Sequence, residues 1–246
     1  MRYFKSLKLF WLPVFPLLFV VCLLATWIAL SNQSFFYGFL YDNTKLENFI
    51  ELYAPKNIYK PEFSQTSREE RIRVFKEIVE SVNSNGLGLS EIKFYSIEGE
   101  SLGKLLREPE VVHLQLVANI VDQLAKVAKC SSVLLLGFLI FVVKLKVRLV
   151  TLKEVILSTL ALFGATVFIL LVIGPLTVFE YLHVQIFPKD HQWFFYYEDS
   201  LMTTLMMAPD LFAYFFATWL VLSVFLFLLV NILLIKMYKF FLDNPS

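Results

Sequence analysis

Between Phe212 and Ile235 the chain carries no charged side chain, and at 1.5 Å per residue a helix over that run is long enough to cross about 30 Å of hydrocarbon. Three other stretches, roughly 9–30, 128–143 and 156–178, share this apolar character. A hydrophobic fraction of 58%, with 26 Phe and 17% charged residues, exceeds ordinary soluble usage. The expected fold is therefore all-α: a polytopic membrane protein with four transmembrane helices, read as a single membrane domain over 1–246. The second crossing is the short one. Its uncharged run extends only from Cys130 to Val143, so the helix either begins earlier, with Lys126 or Lys129 reaching outward, or the segment is buried or re-entrant.

Charge distribution sets the expected orientation. Arg2, Lys5 and Lys8 precede the first helix, Lys144, Lys146, Arg148 and Lys153 lie between the second and third, and Lys236 and Lys239 follow the fourth. By the positive-inside rule both termini and the 144–155 loop are cytoplasmic, leaving a 31–127 cap and a 179–211 aromatic loop outside. The first apolar stretch begins like a signal peptide, but its length, Trp11 and Trp27, and the lack of a small-residue cleavage pair favour an uncleaved anchor. Basic residues in the short middle loop fit anionic lipid better than nucleic acid. Cys22 and Cys130 suggest neither a disulfide framework nor a metal pair.

Within the cap, Phe35-Phe36-Tyr37-Gly38-Phe39 suits the headgroup level. Pro55 and Pro61 break the 45–63 segment, which leaves room for one short helix. Thr66 or Ser67 followed by Glu69-Glu70 starts a helix with Ile72, Phe75, Ile78, Val79 and Val82 on one face, and Asn83 to Gly88 ends it. Residues 89–97 permit a short strand. After Pro109, Val112, Leu116, Ile120, Leu124 and Val127 form an apolar stripe on a helix that continues toward the second crossing. At the third crossing, Gly174-Pro175 allows a kink or close packing.

The chain has three histidines, His113, His183 and His191, and this topology puts all of them on the outer side. Glu110 precedes His113 by three positions, and Glu180 precedes His183 by three. On a helix each carboxylate would share a face with its imidazole and could orient it. Such a histidine exchanges protons near neutral pH, as acyl transfer or hydrolysis requires, although surface or packing roles fit the same spacing. No His-Glu-x-x-His pattern, phosphate loop or dinucleotide fingerprint occurs. Charge is nearly absent at depth, which disfavours a proton relay or ion-coupled carrier.

The order Glu110-Val111-Val112-His113-Leu114, then Phe179, His183 and Phe187 before Trp193-Phe194-Phe195, with Asp199-Ser200-Leu201 and Pro209-Asp210-Leu211-Phe212, resembles the lipoprotein intramolecular transacylases, a bacterial family of four-helix integral membrane proteins. Leu116-Val117 stands where that family commonly carries Asp-Val. The resemblance implies a bacterial cytoplasmic-membrane acyltransferase of envelope lipid modification. It would move the sn-2 acyl chain of a diacylglyceryl lipoprotein to the amine of its N-terminal cysteine, giving an N-acyl lyso-form. On that basis His113 is the expected general base and His183 assists the proton or polarises the ester. Glu110 and Glu180 would support them, and Phe187, Trp193 and Phe195 would contact lipid. Partners would be the lipoprotein and membrane phospholipid; no cofactor, metal or nucleic acid is expected. A lipid ester hydrolase, or a non-enzymatic lipid-binding or envelope-assembly protein, remains the alternative.

Overall fold

The computed structural model describes residues 11–145, 147, 150–188 and 192–243. The basic residues at positions 2, 5, 8, 146 and 148, and His191, lie outside them. The chain runs through α1 (Val14–Asn32), α2 (Tyr37–Asn43), α3 (Leu46–Tyr53) and α4 (Arg68–Asn83), then strands β1 (Lys93–Tyr95) and β2 (Ser101–Lys104). It continues through α5 (Glu108–Lys144), α6 (Leu152–Ile173), α7 (Pro175–Ile186), α8 (Leu201–Leu205) and α9 (Asp210–Asp243). The fold is largely helical, with α1, α5, α6 and α9 long and apolar enough to cross a membrane.

The outward faces of these helices identify their solvent. None of the apolar window of α6 is buried within the protein. Leu162 is 67% exposed and Leu171 78%. Leaving such side chains in water forgoes about 1.5–3 kcal/mol each, whereas a helix in hydrocarbon satisfies its own backbone and solvates those groups. This is a polytopic membrane protein with several transmembrane helices.

Contacts divide the chain into two compact units. One comprises Met1–Ile28, Leu124–Pro175 and Ala217–Ser246. Its core gathers Val14, Leu18 and Cys22 with Leu135, Val142, Val155, Phe227 and Tyr238. Polar groups inside it are used. Thr26 Oγ1 and Ser223 Oγ lie 2.6 Å apart, Trp219 Nε1 donates to Leu23 O at 2.9 Å, and Tyr238 donates to Val147 O at 2.7 Å. Cross-helix bonds of this kind contribute about 0.6–2 kcal/mol in a bilayer. Both cysteine thiols are free.

The second unit comprises Ala29–Gln123 and Leu176–Phe216. Ser67 caps α4 by accepting from Glu70 N, and Val74, Phe75, Ile78, Val79 and Val82 are buried beneath it. Tyr37 stacks on Phe75 with centroids 3.8 Å apart and donates to Leu205 O at 2.8 Å, so α2, α4 and α8 share one core. Arg71 is buried in this core, and its guanidinium reaches Thr66 Oγ1 and Tyr41 OH. The strand anticipated within 89–97 is β1, paired antiparallel with β2 from Lys93↔Lys104 onward.

One element settles what the sequence left open, and another differs from its expectation. First, α5 is one unbroken helix of 37 residues, but its apolar stripe is not its packed face. Val112, Leu124 and Val127 are exposed, while Glu110, His113, Leu114 and Ala118 are buried. In a membrane protein apolar side chains can face lipid, so the packed face of a helix need not be its apolar stripe; here it mixes Leu114 and Ala118 with Glu110 and His113. Second, the third crossing ends at Ile173 rather than near 178, because Gly174 adopts φ 91° and Pro175 opens a new helix. A positive φ is open to glycine at little cost, and the missing N–H of proline is harmless at a first helical position. Part of the expected 179–211 loop is therefore helical.

Candidate functional site

Starting α7 at Pro175 puts Phe179 and His183 one turn apart, with Phe187 just beyond the helix end. Their rings meet. Phe179 and His183 have centroids 3.9 Å apart, and His183 and Phe187 are at 5.2 Å. His183 Nδ1 lies 2.9 Å from Phe179 O. A carbonyl oxygen only accepts, so Nδ1 carries the hydrogen and the neutral ring keeps its lone pair on Nε2. Burial holds the His183 pKa below its ordinary 6.5, partly opposed by the Phe179 bond. At neutral pH the ring is a base rather than a cation.

The N-terminal turns of α5 bring His113 to the same place. It is 8% exposed, with its ring 6.5 Å from that of His183 and the planes 17° apart. Phe187 lies 5.1 Å from His113, and Phe195 contacts it edge-on at 5.8 Å. Trp193 is 5.3 Å from His183. The structure thus brings together His113, His183, Phe187, Trp193 and Phe195.

Neither glutamate bonds to its expected histidine. The Glu180 side chain is exposed and makes no hydrogen bond or ion pair among the described residues. Glu110 is fully buried. Its Oε2 accepts from Arg107 N at 2.6 Å, and its Oε1 accepts from Ser200 Oγ at 2.5 Å and Met202 N at 3.2 Å. The carboxylate closes the first turn of α5 in the manner of a capping box and also meets the amide end of α8, where its charge is favourable. Glu110 therefore joins two chain segments that border the histidines.

Three participants were given no role from sequence, although Phe179 and Ser200 stand in the motif order. The Phe179 carbonyl selects the His183 tautomer, a role for which i and i+4 spacing on a helix is the only sequence signal. Ser200 carries an N-cap signature, with its hydroxyl accepting from Thr203 N. Arg107 sits over the Tyr59 ring at 4.3 Å, with its Nε 3.6 Å from Glu110 Oε2. Among the described residues no group of three or more His, Cys, Asp or Glu side chains gathers as metal ligands would. No protein-family model, curated protein or solved structure matches this chain.

Proposed function

We propose that this protein is a lipoprotein acyltransferase that moves the sn-2 acyl chain of a diacylglyceryl lipoprotein from glycerol oxygen to the amine of the N-terminal cysteine. The product is an N-acyl lyso-form. The observation that carries the reading is the His183 imidazole, kept neutral by burial and turned by Phe179 O so that Nε2 has its lone pair free, opposite His113. The motif resemblance supplies the substrate class.

In this mechanism the neutral cysteine amine attacks the ester carbonyl, a C–N bond forms, and His183 Nε2 takes the amine proton. Negative charge on the carbonyl oxygen is met from the side of His113. The tetrahedral species collapses, the carbon–glycerol oxygen bond breaks, and His183 returns its proton to that oxygen. The base role thus passes from His113, as the resemblance suggested, to His183, whose ring geometry suits it. Ester-to-amide exchange is favourable, and amine and ester reside on one molecule, so orientation replaces a bimolecular encounter. Phe187, Trp193 and Phe195 limit water, which would otherwise hydrolyse the ester. By the positive-inside rule, residues 31–127 and 179–211 lie on the extracytoplasmic side of the bacterial cytoplasmic membrane, with both termini cytoplasmic.

The test is to incubate purified wild-type protein, His113→Ala and His183→Ala with a defined diacylglyceryl lipopeptide and map acyl positions by mass spectrometry. Wild type moves the chain to the terminal amine, and each variant loses turnover by roughly a hundredfold or more while inserting normally. Normal turnover by both variants would remove the histidines from the site. Free fatty acid would point to a hydrolase, and a bound but unchanged lipopeptide to a lipid-binding protein.

A further inference from the structure

Ser200 lies at the junction between the aromatic segment and α8, and it is 0% exposed, as is Glu110. Its hydroxyl accepts from Thr203 N at 3.1 Å, so its single proton goes to Glu110 Oε1 at 2.5 Å, a length expected of a charge-assisted bond. Every group bonded to the Glu110 carboxylate is a donor: Arg107 N, Ser200 Oγ and Met202 N. A carboxylate so deeply buried depends on these donors. The segment before Ser200 is also tied back on itself, because Thr204 Oγ1 lies 2.9 Å from Tyr197 O and 3.0 Å from Ser200 O. That segment carries Trp193 against His183 and Phe195 against His113.

We infer that Ser200 is a positioning residue of the acyl-transfer site, its hydroxyl tying Glu110, one turn before His113, to the end of the segment that carries Trp193 and Phe195. The inference rests on the acyl-transfer reading for its kinetic consequence, but the geometry it describes can be followed without turnover. Ser200 touches neither imidazole. Loss of its hydroxyl acts through slack in the aromatic segment, which admits water to His183 and brings its titration midpoint up toward the ordinary value.

Glycine separates this role from helix capping, because it is tolerated at an N-cap yet offers no hydroxyl. Ser200→Gly, Ser200→Ala and Ser200→Thr are compared with wild type in two measurements. One is kcat and KM for the lipopeptide; the other is ring titration of His183 by NMR, assigned by single substitution of the histidines. Ser200→Gly and Ser200→Ala are expected to lower kcat roughly ten- to a hundredfold with little change in KM. Both also raise the His183 midpoint, and Ser200→Thr restores both properties. A folded Ser200→Gly protein with wild-type kcat and titration overturns the inference in favour of capping alone. So does failure of both hydroxyl-free variants to fold while Ser200→Thr folds. If wild type itself transfers no acyl chain, the acyl-transfer reading fails, and the His183 titration still decides the role of Ser200.

Discussion

At the scale of single residues, His183 gives the proposed chemistry a distinctive pH dependence. A free α-amine titrates near about 8, so below that value the nucleophilic form falls tenfold per pH unit. His183 must also be neutral, and burial puts its pKa below 6.5. The log of kcat/KM plotted against pH is therefore expected to have a slope near one below about 8 and to steepen toward two once His183 protonates. A slope that stays at one down to the acid limit of the folded protein would remove His183 as the base. Stability follows the same ionisation. The folded pKa is depressed, so the unfolded chain binds the proton more readily; the His183 contribution is complete above 6.5 and is lost as pH falls through the folded pKa. Rates should accordingly be normalised to the folded fraction. Sequence spacing pointed to both histidines, whose rings lie 6.5 Å apart, and allowed a contact with each glutamate that the structure does not make. Glu110 and Glu180 stand three residues before them, yet Glu110 is engaged by Arg107, Ser200 and Met202, and Glu180 is exposed. Spacing along a helix fixes which residues can meet, and only tertiary packing decides which do.

At the scale of elements, Gly174 is the position where one helix becomes two. Its φ of 91° and ψ of 136° lie in a region that side chains with a Cβ rarely adopt. Gly174→Ala is expected to destabilise the fold by about 1–3 kcal/mol, read as a lowered thermal unfolding midpoint in detergent. An unchanged midpoint would mean that this junction tolerates another backbone conformation. The Gly-Pro pair was legible as a kink, but apolar residues continue through Leu176 and Val178, so hydropathy had no means of marking the end of α6. The stripe on α5 raises a related point. Val112, Leu124 and Val127 do form an apolar face, but it is exposed while Glu110 and His113 are buried. Periodicity locates the apolar side of a helix without saying whether lipid or protein covers it. In α4, a largely polar helix over an apolar core, the same reasoning succeeded for Phe75, Ile78, Val79 and Val82.

At the scale of the whole molecule, the four long apolar helices were readable because each needs only length and composition, whereas the second unit depends on contacts distant in sequence, such as Tyr37 with Leu205. Orientation rests on the basic residues flanking the spans, and it decides whether the histidines can meet a lipoprotein on the outer face. The test uses a variant in which Cys22 and Cys130 are replaced by Ala, followed by a single new cysteine. Ile97 is 74% exposed in the β1–β2 connection of the second unit, and Lys153 is exposed near the start of α6. Ile97→Cys is expected to react with a membrane-impermeant maleimide on intact cells, and Lys153→Cys only after permeabilisation. The opposite pattern would invert the protein and bring His113 and His183 to the cytoplasmic side. Acyl transfer to an exported lipoprotein would then lose its site, even though every ring contact around the two histidines stayed the same.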